Sequence, residues 1–205
     1  MTTGTDNLIE RLSLTLVPVK PLRPPVVRAL LWLGLVALLA AWPVYRLAQL
    51  NVFMLRSADA RVALEIGATL LTGVVASVAA FHLSVPDRSP RWVYAPLPPL
   101  LLWLAASGLG CMQNGLGEAD WNCSLFVGIA SAPLLLLLFL FLRRARPIAP
   151  FPVALTGGLA VAAIAAFLLQ FFHPFDVTVI DLAIHTIAVL VILGAATLIG
   201  RRALG

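Results

Sequence analysis

Six apolar runs divide the chain, each close to the roughly 20 residues that a helix needs to cross the hydrocarbon core of a bilayer. They cover 29–48, 60–83, 94–110, 124–142, 153–171 and 178–200. Within them polar and apolar residues do not alternate, as the strands of a transmembrane barrel would. The pattern predicts an all-α fold, a polytopic transmembrane helical bundle of six spans with both termini on one side. The third run opens on Pro96, Pro98 and Pro99. Proline fits the first turn of a helix, where the missing N–H had no partner to lose.

Composition agrees with this pattern: 61% of residues are hydrophobic, 11% are charged and the mean hydropathy is +1.00. No ordinary soluble domain of this length is so apolar. The basic residues then set the orientation. With both termini cytoplasmic, Arg11, Lys20, Arg23, Arg28, Arg88, Arg91, Arg143, Arg144, Arg146, Arg201 and Arg202 lie inside, and only Arg46, Arg56 and Arg61 lie outside, 11 against 3. The positive-inside rule favours this topology. Asp59, Glu118, Asp120 and Asp176 lean outward. The net charge of +5 therefore reads as an orientation device beside anionic lipid, and no direct nucleic-acid binding is expected. About 28 mostly polar residues precede the first run, which does not fit a cleaved signal peptide. The chain divides into a cytoplasmic segment 1–28, a membrane domain 29–200 and a tail 201–205.

The N-terminal segment is the largest piece outside the membrane. Thr5 or Asp6 can cap a helix in which Leu8, Ile9, Leu12 and Leu16 share one face, and Pro18 ends it. The stretch VPVKPLRPP that follows is extended, because successive prolines disfavour helix. A helix of about three turns is marginal alone in water, so its apolar face needs a partner groove, the bilayer surface or its own bundle. Arg11 is offset by Asp6 and Glu10, which weakens the case for a purely electrostatic membrane contact.

The only two cysteines, Cys111 and Cys123, flank the polar stretch between the third and fourth spans. Their spacing fits neither a zinc knuckle nor a C-x-x-C redox motif, and two thiols cannot complete a tetrahedral structural zinc site. A plain disulfide and a labile, signal-responsive pair both remain open. His173, Asp176, Asp181 and His185 fall at the same end of the fifth and sixth spans. Together with Cys111 and Cys123 they form a candidate set of ligands for a soft or borderline metal, if spans three to six meet there. The alternative is that His185 bonds to Asp181 or to another helix as interhelical glue. His82 is expected at the membrane interface.

Small residues crowd the second span (Ala68, Gly73, Ala76, Ala80) and the fifth (Gly157, Gly158, Ala162, Ala166), marking them as packing helices. The fourth and sixth, rich in leucine and isoleucine, are expected to face lipid. No phosphate loop, nucleophile–base pattern or H-E-x-x-H motif is present, so the chain is not expected to be an enzyme. A small metal or solute transporter is the rival class. Against it, the ionisable residues of the spans (Glu65, Asp181, His185) cluster at the ends, whereas a transport path wants them near the midplane.

The stretches PVKPLRPP, LTGVVASVAAFHLSVPDRSPRW, APLPPLLLWLAASGLGC, SAPLLLLLFLFLRRA and FFHPFD together resemble the NrsF-like family, the negative regulators of sigma F. The resemblance spans almost the whole chain. It implies a six-span anti-sigma factor of the bacterial inner membrane that holds an extracytoplasmic-function sigma factor. It also implies that the N-terminal segment, here Leu8, Ile9, Leu12 and Leu16, contacts the sigma factor. Cys111 and Cys123 would face the periplasm and respond to heavy metal or oxidative stress. No resident cofactor is implied, only a transient heavy-metal ion at the cysteines.

Overall fold

The computed structural model describes residues 3–14, 21–117, 121–172 and 177–204. Among them the chain forms eight α-helices and no strand: α1 (Thr3–Leu14), α2 (Pro25–Leu47), α3 (Leu50–Arg56), α4 (Ala60–Leu83), α5 (Leu97–Asn114), α6 (Trp121–Leu142), α7 (Pro150–Leu169) and α8 (Val179–Ala203). Six of these are long and apolar enough to cross a membrane: α2, α4, α5 with the 3-10 turn Pro90–Tyr94 before it, α6, α7 and α8. Pro25, Pro98 and Pro150 stand in the first turns of α2, α5 and α7, where no hydrogen bond is lost. Asp59 caps α4, its carboxylate accepting the backbone N–H groups of Arg61 and Val62 at 2.9 and 3.1 Å.

The spans pack around α4 and α7. Where they cross, Gly73 lies so close to Ile164 that a Cβ would come within 2.7 Å of its side chain. Gly157 faces Leu138 of α6 and Gly158 faces Ala196 of α8, with a Cβ again limited to 2.8 Å in each case. Small residues thus let backbones approach where apolar surface alone gives helices no reason to associate in lipid. α7 is the most buried span and α8 the least. The fourth span departs from expectation. Val127, Leu138 and Leu142 of α6 are fully buried in the core, so only part of that helix can face lipid. A helix apolar on every side carries no periodic signal of which face turns inward.

The two ends of the bundle differ. At one end Arg28 is buried in the first turn of α2. Its Nη1 donates to Ser84 Oγ (3.2 Å) beyond α4, its Nη2 to the Phe141 carbonyl (2.8 Å) of α6, and its guanidinium lies 5.1 Å from the Phe81 ring centroid. His82, in the last turn of α4, is buried here and stacked on Trp92 at 4.1 Å. The 3-10 turn folds that indole back over the end of α4. At the opposite end α3 joins α2 to α4. The Gln49 N–H donates to the Phe171 carbonyl (3.1 Å), and the Phe53 and Phe171 rings stack at 4.4 Å.

Candidate functional site

The helix α1 begins at Thr3, ahead of the expected cap at Thr5 or Asp6, and Asp6 lies in its first turn. A carboxylate there, and Arg11 in the last turn, both complement the helix dipole. Every residue from 4 to 14 is exposed. Leu8, Ile9 and Leu12 expose 57%, 59% and 58% of their surface, three apolar side chains at the i, i+1, i+4 spacing of one helical face. Leu16 and Pro18 lie outside the described residues. Burying such a side chain against a partner or a bilayer surface stabilises by about 1.5–3 kcal/mol.

The cysteines do not sit in a loop. α5 continues through Asn114, and α6 starts at Trp121, so Cys111 occupies the last turn of one helix and Cys123 the first turn of the next. Gly108 and Gly110 do not break α5. Gly110 makes room for Arg61, whose Nη1 would stand 2.5 Å from a Cβ at that position. The helix ends only at Gly115, with φ +70°. Both thiols are 6% exposed, and no disulfide joins them. Cys123 belongs to the apolar core with Val127 and Leu169.

Cys111 has a different setting. Its Sγ donates to the main-chain carbonyl of Thr178 (3.2 Å), and Asn114 Nδ2 donates to the carbonyl of Val177 (3.2 Å). In return the N–H groups of Val179 and Ile180 donate to the carbonyls of Gly115 (3.1 Å) and Leu116 (3.2 Å). Gly117, with φ +66°, packs directly against the Thr178 side chain. Residues 111–117 therefore form a strap across the start of α8. The strap's carbonyls satisfy two N–H groups that a helix N-terminus otherwise leaves unpaired, and Thr178 Oγ1 accepts a third, from Asp181 (3.3 Å).

A cavity of about 60 Å³ has largely apolar walls, Trp103, Leu169 and Leu182 among them, into which Glu65, Ser107, Gln170, Asp181, His185 and Arg56 bring polar groups. α4, α5, α7 and α8 meet here. Glu65 Oε1 accepts from Ser107 Oγ (2.8 Å), and its Oε2 pairs with Arg61 (3.1 Å). Asp181 is 6% exposed, and its Oδ1 has no hydrogen-bond partner among the described residues. His185 uses Nδ1 as donor to the Asp181 main-chain carbonyl (2.8 Å), so the two do bond, through backbone rather than carboxylate. That bond leaves Nε2 as the unprotonated nitrogen of the neutral ring. His173 and Asp176 lie outside the described residues. Among those described, no three His, Cys, Asp or Glu side chains converge as metal ligands. Ser107 and Asn114 carried no signal in the sequence, because their partners lie on other segments. Arg61 did carry one, standing four residues before Glu65 on one helix face, the spacing of an ion pair.

The family model described as "NrsF: Negative regulator of sigma F" matches residues 12–205, nearly the whole chain. No curated protein and no solved structure matches it. With six membrane-length helices and a match running the length of the bundle, the chain belongs to the NrsF family of negative regulators of a sigma factor.

Proposed function

We propose that the protein holds an extracytoplasmic-function sigma factor at the cytoplasmic face of the bacterial inner membrane through Leu8, Ile9, Leu12 and Leu16. It releases that factor when a thiol-reactive metal or an oxidant acts on Cys111 and Cys123 at the periplasmic face. The observation that carries the reading is the exposed apolar face of α1, in a chain whose family regulates sigma factors negatively. Such a face, as a short amphipathic helix, is the form in which a helix-in-groove partner is usually engaged. The excess of arginine and lysine at the ends that flank α1 supports the cytoplasmic placement. Moving a two-state protein decisively from holding to releasing takes a bias of about 5 kcal/mol. Thiol chemistry has that strength: a soft cation that bonds a cysteine sulfur displaces the thiol proton to water, and the new bond exists in only one of the two states.

Two variants test this in cells with a sigma-dependent reporter. Removing residues 3–14 is expected to give constitutive transcription. The C111S/C123S double variant is expected to keep the sigma factor captive and to lose induction by cadmium or dichromate. Continued capture by the truncated chain, or normal induction in the double variant, refutes the corresponding half.

A further inference from the structure

The two cysteines occupy different environments, and the difference assigns them different roles. Cys123 packs in the apolar core, and the Cys111 thiol hydrogen bonds to a carbonyl at the start of α8. Cys111 is also too buried to meet a reagent from solution while that bond is made. The bond is one of four that tie residues 111–117 to 177–180, and they make or break together because they share one short segment of chain.

We propose that the strap 111–117 is the gate of the sensor: Cys111 reacts only when the strap lifts from α8, and a modified Cys111 keeps it from closing again. This rests on the reading of Cys111 as the signal-receiving thiol, and it names the residues that control it. Asn114 and Gly117 are positioning residues. Asn114 supplies the second side-chain bond to the 177–178 backbone, and Gly117 gives both the positive φ and the close approach to Thr178. A group attached to Sγ removes the hydrogen that bonded Thr178 and adds bulk where the thiol is already enclosed. The carbonyls of Gly115 and Leu116 then leave the N–H groups of Val179 and Ile180, and the first turn of α8 keeps only the acceptor that Thr178 supplies. α8 is the first span to feel the signal. Its far end packs through Gly200 against Ala154 at the start of α7, at the end of the bundle where α2 begins.

The test uses the full chain in lipid nanodiscs and needs no sigma factor, so it can fail or succeed independently of the anti-sigma reading. In a C123S background, N-ethylmaleimide forms a C–S bond to Cys111, the thiol hydrogen ending on the adjacent ring carbon. Adding N114A is expected to raise the labelling rate by roughly five-fold, the factor equivalent to one hydrogen bond, and G117A by at least as much. A rate unchanged by both substitutions overturns the gate. A second readout is amide exchange at Val179 and Ile180. C111S, which keeps an O–H donor for Thr178, is expected to leave it as in the parent. C111A, which has no donor, is expected to speed it several-fold. Equal exchange in C111S and C111A overturns the proposal even if the Asn114 or Gly117 variants fold poorly.

Discussion

Ser107 Oγ donates a 2.8 Å hydrogen bond to Glu65 Oε1, joining α5 to α4 inside the bundle, while Arg61 holds the other carboxylate oxygen at 3.1 Å. The two donors thus offset the cost of burying this carboxylate among the helices. Ser107→Ala leaves one oxygen short of a donor and is expected to cost about 1–3 kcal/mol. Glu65→Ala removes both the acceptor of Ser107 and the ion pair with Arg61 and is expected to cost more, about 3–5 kcal/mol. Thermal unfolding in detergent checks the order. Two silent substitutions would mean that the pair does not hold the helices together.

The glycines of the packing helices separate into two classes. A Cβ at Gly158 would press on Ala196 Cβ at 2.8 Å and on the Leu193 backbone at 3.4 Å, neither of which can rotate away. A Cβ at Gly128 or Gly194 meets nothing within 4 Å. Gly158→Ala should therefore destabilise by about 1–3 kcal/mol through overpacking. Gly128→Ala and Gly194→Ala should be neutral or stabilising by about 0.5–1 kcal/mol from helix propensity. Melting curves of the three single variants in one detergent decide it, and a Gly158→Ala as stable as the other two would contradict the packing described.

Arg28 fastens the start of α2, the helix that follows the linker from α1, to the ends of α4 and α6. Lysine keeps the charge but cannot make two directed bonds and stack on Phe81 at once. Arg28→Lys is expected to lower the unfolding midpoint clearly, while Arg23→Lys, at an exposed position, leaves it unchanged. Equal effects at the two sites would show that the contacts of Arg28 add nothing.

Much of this was legible in the residue pattern, and the reasons differ by element. The six spans were visible because lipid demands long apolar runs, and their ends fell close to the observed helices because Pro25, Asp59 and Gly115 punctuate them chemically. The central place of α4 and α7 followed from their small residues. The helical placement of the cysteines did not, because the third apolar run ends at Gly110 while the helix continues through the polar Asn114 to Gly115. The buried face of α6 was hidden by its uniform hydrophobicity. The strap was hidden too, since most of its bonds use backbone groups that every residue type carries. The exposed face of α1 was plain in the spacing of Leu8, Ile9 and Leu12, but no local pattern names the surface that covers it.

The binding of purified sigma factor to the detergent-solubilised full chain, compared with a Leu8→Ala/Ile9→Ala/Leu12→Ala variant, tests the central claim most directly. Each anchor of a helix-in-groove contact contributes on the order of 1–2 kcal/mol, so the account predicts a Kd at least 100-fold weaker in the variant, with the thermal midpoint of the bundle unchanged. A variant that binds the sigma factor as tightly as the parent would contradict it.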